Sequence, residues 1–370
     1  IMEQSFVEKH IIFETLVGSR AYGIHNDDSD FDTKGVMIPT KEYYFGNKRF
    51  EQYEGYEGDK VIYDFRKMIK LISENNPNCL DMLYTPKHCI YKITPYWEKV
   101  MENADLFLSK KCKFTFSGYA IAQLKRIKTH RAYLLNPPEI KPERKDFGLK
   151  EDSIFQTAQL KALINIESLF EYVEPENKEM FINELDTVYA DNVIPVFRKY
   201  FKEDRKDICL AYIQNTLYSQ LNTFTILGTC NYLKDEFVEE AEKELKYQTK
   251  LMQWKQYEEW KKHRNKKRAE LEEKSGYDTK HAAHLVRLLR MGDEILSTGK
   301  VNVDRTNIDA EELKSIRQGS WTYDQIEEYA ETMDKKLDEL YKNSKLQKNP
   351  QIEKIDDLCV EIIDEYLKNL

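Results

Sequence analysis

Residues 18–32 read GSRAYGIHNDDSDFD and lie between two short segments whose composition is typical of β-strands. The first segment, residues 10–17, is rich in β-branched side chains and stops before a glycine, and the second, residues 31–38, stops before a proline. Asp30 and Asp32 are two residues apart at the start of the second strand, so both side chains point to the same face. The stretch therefore predicts a strand, a Gly-Ser turn and a second strand that carries paired carboxylates.

Paired carboxylates indicate a metal site, because two neighbouring negative charges repel each other unless a cation lies between them. Mg²⁺ prefers hard oxygen ligands and binds through one or two carboxylates together with substrate phosphates, and Mn²⁺ is the alternative ion. A third carboxylate would complete a two-metal site for in-line attack at phosphorus. Asp64, at the end of a third predicted strand, is the first choice because it shares a face with the isoleucine two residues before it, and Asp59 is the alternative. We therefore predict Asp30, Asp32 and Asp64 as catalytic metal ligands.

The turn after the first strand predicts a phosphate-binding site. A glycine there lets backbone N–H groups approach a phosphate, and a helical turn that follows adds a favourable dipole. The Ser19 hydroxyl can donate to a phosphate oxygen, and the Arg20 guanidinium can pair with one. Gly18, Ser19 and Arg20 are accordingly predicted to bind a nucleotide.

The acidic stretch also has two possible roles without catalysis. Residues 28–32 match the opening of a calcium-binding EF-hand loop, but the next residue is Thr33 rather than glycine, and the glutamate expected at the end of the loop is Pro39. A calcium loop is therefore excluded. An acidic surface loop remains the alternative for the Asp-x-Asp pair taken alone, whereas the order of strand, Gly-Ser turn and strand favours catalysis.

Composition narrows the class of protein. The 370 residues carry a formal net charge of −8, which argues against a surface built throughout for nucleic acid. The charge is uneven, because residues 110–150 hold eleven basic and three acidic side chains, and residues 255–268 hold seven basic and two acidic ones. Such runs permit an anionic ligand, and a solvated helix face explains them equally well.

The chain is expected to be cytoplasmic and not attached to a membrane. It has no run of eighteen apolar residues, and its start lacks the basic and then apolar pattern of a signal peptide. Six scattered cysteines without a C-x-x-C pair fit a reduced compartment better than a disulfide framework or a zinc site.

The predicted fold class is α+β, with a small mixed-sheet head followed by a large helical body. The predicted domains are a head over residues 1–105, a helical domain over 106–345 and a C-terminal helix within 346–370. The third strand is predicted over residues 59–64 and is followed directly by a helix. Helical spacing further predicts helices over residues 116–135, 153–172, 206–227, 235–275, 278–291, 310–317 and 323–346.

The helix predicted over residues 278–291 carries a polar face. Lys280, His284 and Arg287 fall within roughly 60° of one another on a helical projection, opposite an apolar face. This trio is predicted to bind the nucleotide, and a solvated polar face is the alternative. His281 lies at the border and is predicted to pack in the core; two histidines three apart without a further ligand nearby predict no zinc site.

A second helix combines basic and aromatic side chains, which suits single-stranded RNA because bases stack on rings and the backbone needs counter-charge. Core packing of the aromatic residues is the alternative. The residues are Phe116, Tyr119, Lys125, Arg126, Lys128, His130 and Arg131.

The chain resembles the DNA polymerase β nucleotidyltransferase superfamily, and more narrowly its RNA-ligase-associated branch in phages and bacteria. The superfamily resemblance rests on the Gly-Ser pair at 18–19, the Ser-Asp-Phe-Asp at 29–32 and the Gly-Val at 35–36. The branch resemblance rests on the Gly-Ser-Arg-Ala-Tyr-Gly run of the same turn and on residues 76–81, 280–290 and 316–320.

The resemblance implies a nucleoside triphosphate, such as ATP, held by Gly18 and Ser19, with metals on Asp30, Asp32 and Asp64. A nucleoside monophosphate would pass to an acceptor, with an RNA end as the expected one, and pyrophosphate would leave. The alternatives are transfer to a protein hydroxyl, synthesis of a small signalling nucleotide, or a non-catalytic, antitoxin-like module that binds nucleotide or RNA. If the chain is phage-encoded, it would act in the cytoplasm of the bacterial host.

Overall fold

A computed structural model describes residues 4–27, 29–55, 59–151, 235–264 and 266–370. The chain divides into two compact units, Ile1–Asn136 together with Asn265–Leu370, and Pro137–Arg264. The helices predicted over residues 153–172 and 206–227 lie outside the described residues, and the predicted domain boundaries stay a prediction. In the described part of the chain, no helix combines the length and the apolar character needed to cross a membrane.

The first unit contains a five-stranded mixed sheet in the order β3-β4-β2-β1-β5. β2 runs parallel to β4, and the other neighbouring pairs are antiparallel. With the helices that follow it, this sheet confirms the α+β class. The strands are β1 Ile11–Leu16, β2 Thr33–Met37, β3 Gln52–Glu54, β4 Lys60–Asp64 and β5 Ile90–Ile93.

Helices make up most of the remaining described chain, and they are numbered here through the described residues only. The short helices α1 to α5 all belong to the head and its flanks. They are α1 Gln4–His10, α2 Glu42–Phe45, α3 Phe65–Ser73, α4 Pro77–Leu80 and α5 Pro95–Glu102. The later helices are α6 Cys112–Leu135, α7 Asp235–Lys262, α8 Lys266–Ser275, α9 Thr279–Thr298, α10 Ala310–Arg317, α11 Tyr323–Asn343 and α12 Ile352–Lys368.

Strand register determines which residues meet at one end of the sheet. Leu16, the last residue of β1, pairs with Thr33, the first residue of β2, and in the parallel pair Thr33 lies beside Lys60. The same register sets Met37 beside Asp64 at the opposite end. We call the end at which β1 stops and β2 and β4 begin the acidic end of the sheet.

Helix α9 is the central helix of the first unit and packs against α6, α10 and α11. Its N-cap is Asp278, whose side chain accepts from the His281 backbone N–H, and its C-terminal glycine, Gly299, has a φ of 71°. Gly292 lets α6 approach closely, since an added Cβ would lie 3.3 Å from the Cβ of Phe116. This packing holds α9 in the same compact unit as the acidic end of the sheet.

The segment after α9 is anchored by a fully buried arginine. Arg305 has no solvent-exposed surface and donates to Glu294 at 2.7 and 2.8 Å and to Asp309 at 2.8 and 2.9 Å. Its backbone N–H donates to the carbonyl of Tyr22, in the turn after β1. The same turn also approaches Thr306, because an added Cβ at Gly23 would collide with that hydroxyl. Arg305 therefore ties the C-terminal end of α9 to the turn beside the acidic end of the sheet.

Candidate active site

A cavity of about 340 Å³ opens at the acidic end of the sheet. Its size falls within the range of small-molecule sites. Five parts of the first unit form its wall: the turn after β1, the starts of β2 and β4, the segment from Asn78 to Thr85, one face of α9, and Val303 in the segment after α9. Polar lining residues include Asp32, Lys34, Asp59, Asn78, Asp81, Thr85, His284 and Arg287.

Three carboxylates meet at this end of the sheet. Asp32 and Asp59 both line the cavity, and Asp30 is an exposed neighbour of Asp32. Partial burial raises the pKa of Asp32, and the charges of Asp30 and Asp59 raise it further. Asp59 is held in place because its carbonyl accepts from the backbone N–H of Thr33 at 2.7 Å. Carboxylate oxygens close enough for two of them to raise the pKa of the third are a donor set that fits Mg²⁺ or Mn²⁺.

The structure separates Asp64 from these carboxylates. Asp64 ends β4, so it lies five residues from Asp59, roughly 16 Å along an extended strand. It is buried and caps α3, because one of its oxygens accepts from the backbone N–H groups of Arg66 and Lys67 at 3.0 and 3.2 Å. Side-chain alternation indicates which face of a strand a residue occupies, but not the direction in which the strand runs in the sheet. Because β4 runs parallel to β2, its first residue, Lys60, lies beside the start of β2, so Asp59 just before it is near the paired carboxylates. Asp64, the last residue of β4, lies beside the end of β2.

The Gly-Ser turn reaches the carboxylates directly. Gly18 has a φ of 69°, a left-handed conformation, and a Cβ at this position would lie 3.3 Å from the Oδ2 atom of Asp32. The Val17 backbone N–H donates to the Asp32 carbonyl at 2.9 Å, and Ser19 is half-buried beside it. Glycine is therefore required at position 18 both for the turn and for the close approach of Asp32.

Arg20 holds the acidic loop, and its predicted phosphate contact stays a prediction. Its guanidinium donates to the carbonyls of Ser29 and Asp30 at 2.7–3.2 Å and stacks 3.5 Å above the ring of Phe31. These contacts hold the loop that carries the paired carboxylates. The side chain thus positions Asp30 and Asp32, which are the residues that we expect to meet the metal.

Two of the three polar-face residues of α9, His284 and Arg287, line the cavity, and the charge pattern differs from the expected one. Burial lowers the pKa of His284 to about 3, so that this imidazole is neutral at pH 7. Arg287 is buried, with its guanidinium 3.7 Å above the ring of Tyr22. Lys280 is exposed, and its charge interacts with those of Asp30 and Asp32.

Three residues near the site were not singled out from the sequence as site residues. The Tyr22 hydroxyl donates to the Oδ2 atom of buried Asp81, and burial raises the pKa of both groups, with Arg287 opposing the rise. Arg317 follows the same pattern as Lys280: burial and the charge of Arg268 lower its pKa, while Asp30 raises it. All three positions fall within segments that carry the family resemblance, so the resemblance was the available signal.

The helix proposed to bind RNA is occupied largely by contacts within the chain. Phe116 is buried, Lys128 pairs with Glu327, and Arg131 donates to the carbonyl of Gly276. Lys125, Arg126 and Lys128 of this group are exposed. Core packing, the alternative for the aromatic residues, holds for Phe116, and RNA binding by the exposed cations stays a prediction.

The family match to known proteins covers the part of the chain that contains the sheet and the paired carboxylates. Residues 2–137 match the family described as RNA repair pathway DNA polymerase beta family, RlaP. This match supports a polymerase beta superfamily nucleotidyltransferase in that region and is consistent with the resemblance carried by the turn and the paired carboxylates.

Two curated relatives share parts of the chain. A 38.9 kDa protein of the nrdC-mobD intergenic region of Enterobacteria phage T4 is 24% identical over 125 residues, 30% of this chain and 37% of that protein. The protein YcgL of Bacillus subtilis (strain 168) is 32% identical over 89 residues, 22% of this chain and 33% of that protein. Both are described as uncharacterized, and the chain spans about a third of the length of each. No solved structure matches.

Proposed function

We propose that this chain is a nucleotidyltransferase that moves a nucleoside monophosphate from a triphosphate to an acceptor hydroxyl. The match of residues 2–137 to a family of the polymerase beta superfamily supports this proposal. The observation that carries the proposal is that Asp32 and Asp59 line one cavity with the Gly18 turn, while Asp30 lies near enough to Asp32 for its charge to raise the pKa of Asp32. A module that only bound nucleotide would have no need for neighbouring carboxylates, because the charges of Asp30 and Asp59 make ionised Asp32 less favourable.

Asp30, Asp32 and Asp59 would hold Mg²⁺, or Mn²⁺ in its place. When bound, the ions supply positive charge at the attacking oxygen, the leaving oxygen and the phosphate that passes between them. The chain itself would orient the reactants. The turn of Gly18 and Ser19 offers backbone N–H groups and a hydroxyl to the triphosphate, and Arg20 keeps the loop with Asp30 and Asp32 in place.

The rest of the cavity lining would contact the nucleoside. His284 presents a neutral imidazole there, and Asn78, Asp81 and Thr85 add polar groups around the apolar wall. A few placed polar groups in a mostly apolar pocket are typical of sites that orient a small ligand. The proposed acceptor is an RNA end, supported by the description of the matching family.

A transfer assay tests the proposal. The chain would be incubated with each α-labelled nucleoside triphosphate and Mg²⁺ or Mn²⁺, in the presence of RNA oligonucleotides with free 3′-hydroxyl ends or of protein. We expect label to move to RNA and pyrophosphate to be released in equal amount. Label on protein instead of RNA would show that the acceptor is a protein. The absence of transfer from any triphosphate with either ion would overturn the proposed function.

The third carboxylate can be assigned with a matched pair of variants. Asp59→Asn is expected to lower turnover by about 10²-fold or more, because it removes a metal ligand worth several kcal/mol of charge stabilisation. Asp64→Asn is expected to keep near wild-type turnover and stability, since asparagine caps a helix about as well as aspartate. Steady-state kinetics on both variants would identify the third metal ligand. A larger loss of turnover in Asp64→Asn than in Asp59→Asn would assign that role to Asp64.

The cations beside Asp30 should matter for affinity. Lys280→Ala and Arg317→Ala are each expected to weaken triphosphate binding about 10-fold, since a hydrogen bond to a charged group contributes about 1.5–3 kcal/mol. Raised salt should weaken binding by the wild type more than by either variant. Isothermal titration calorimetry measures both, with Lys274→Ala, an exposed lysine at the end of α8, as the control. Equal affinity in all four proteins would show that the triphosphate lies elsewhere.

A further inference from the structure

A second cluster of metal-ligating side chains lies where α6 meets the N-terminus of α9. His130 of α6, the N-cap residue Asp278 and His281 of α9 each offer one ligand atom, and these three atoms lie within 4.8 Å of one another. Asp278 is almost fully buried, and each imidazole is about four-fifths buried. The sequence could not show this group, because His130 is 148 residues from Asp278 along the chain.

The hydrogen bonds on Asp278 leave one position facing both imidazoles. A carboxylate has about four lone-pair positions. Its Oδ1 atom accepts from the His281 backbone N–H at 3.1 Å and from Arg268 at 2.9 Å, and its Oδ2 atom also accepts from Arg268 at 2.9 Å. The remaining position on Oδ2 lies within hydrogen-bond distance of the Nδ1 atom of His130, at 3.1 Å, and 3.5 Å from the Nε2 atom of His281, so without an ion this position takes a hydrogen bond from His130.

The orientation of His281 matches that of a metal ligand. Its Nδ1 atom lies 2.6 Å from the Oε1 atom of buried Gln123, so Nδ1 carries the proton and donates. The lone pair of Nε2 then points towards a carboxylate oxygen, which is unfavourable unless a cation lies between them. A ligating histidine held by a hydrogen bond from its other nitrogen is the usual arrangement around protein-bound metals.

The spacing of the ligand atoms also fits. With bonds of about 2.0–2.1 Å, neighbouring ligand atoms of a tetrahedral zinc ion lie roughly 3.3 Å apart. The two distances to Oδ2, 3.1 and 3.5 Å, lie on either side of that value. Two imidazole nitrogens and one carboxylate oxygen suit Zn²⁺ rather than Mg²⁺, which prefers oxygen ligands alone.

We infer that His130, Asp278 and His281 form a binding site for a zinc-class divalent ion, separate from the carboxylates of the proposed active site. The ion would join α6 to the first turn of α9. It would lie about one helical turn from His284, which lines the cavity. Arg268 would remain on the outer side of the carboxylate, as a hydrogen-bond donor to the metal-bound Asp278.

The test uses the full chain with Asp30→Asn and Asp32→Asn, so that metal at the other carboxylates does not contribute. After removal of metals with a chelator, Co²⁺ is added and the visible spectrum recorded, because tetrahedral Co²⁺ absorbs far more strongly than six-coordinate Co²⁺. We expect one equivalent of tetrahedral Co²⁺, which Zn²⁺ displaces, and a rise in Tm on addition of Zn²⁺.

Variants identify the ligands. His130→Ala and His281→Ala should remove both the absorption and the Tm shift, and Gln123→Leu should weaken binding about 10- to 100-fold. His88→Ala, an exposed histidine of the same unit, is the control, and circular dichroism verifies folding. Should His281→Ala fail to fold, His130→Ala decides alone. Absence of the absorption in the parent protein, or its retention in a folded histidine variant, would overturn the inference whether or not nucleotide transfer is found.

Discussion

Asp32→Asn is expected to lower nucleotide transfer by about 10³-fold, the largest effect on activity that we expect of any single substitution. Asp32 stands between Asp30 and Asp59 and faces the cavity, so its carboxylate would contact both ions of a two-metal site. A loss of several kcal/mol of transition-state stabilisation corresponds to about 10³-fold at 1.36 kcal/mol for each factor of ten. Single-turnover kinetics with saturating triphosphate would measure the chemical step directly.

The same variant should not destabilise the fold. The folded-state pKa of Asp32 is raised, so any stability linked to its protonation is present at low pH and is lost as the pH rises through that pKa. At neutral pH the uncharged amide relieves repulsion, and the Tm of the variant should equal or exceed that of the metal-free wild type. Mg²⁺ should raise the Tm of the wild type more than that of the variant.

Asp27→Asn is the matched control, because Asp27 is an exposed acid of the same loop outside the cavity. It should keep wild-type turnover. Comparable losses in Asp27→Asn and Asp32→Asn would attribute the effect to the charge of the loop, and full activity of Asp32→Asn would remove the carboxylates from the mechanism.

Arg305→Met is expected to lower the free energy of unfolding by about 3–5 kcal/mol, the largest effect on stability. The substitution removes a cation that Glu294 and Asp309 share, and breaking a buried ion pair leaves uncompensated charge in a poorly solvated place. Arg290 also pairs with Asp309, at 2.9 Å, so Glu294 loses more than Asp309 does. Urea unfolding followed by circular dichroism would measure the change.

Lys314→Met provides the comparison for this effect. Lys314 pairs with Glu311 at 2.9 Å on the surface of α10, where an ion pair contributes about 0–1 kcal/mol. A cost below about 1 kcal/mol for Arg305→Met would show that the buried network does not hold the segment after α9 to the turn of Tyr22. Triphosphate affinity should fall along with stability in Arg305→Met, since Val303 of that segment lines the cavity.

Short-range patterns of the sequence were sufficient to single out the candidate site residues that lie close together along the chain. The Gly-Ser turn follows from a glycine that ends a β-branched segment. The Asp-x-Asp pair is visible in the sequence as well, but strand alternation does not place it, because β2 begins at Thr33, after both carboxylates. The helical period likewise grouped Lys280, His284 and Arg287 on one side of α9. Each of these inferences depends on residues less than fifteen positions apart.

Tertiary structure decided the rest, because strand direction and burial depend on residues far apart in the chain. Only the parallel pairing of β2 with β4 shows that Asp59, and not Asp64, reaches the paired carboxylates. Only packing shows that burial keeps His284 neutral and sets the guanidinium of Arg287 over the ring of Tyr22. Local composition determined which chemical groups the chain could offer. Register and burial determined which of them meet, and in which charge state.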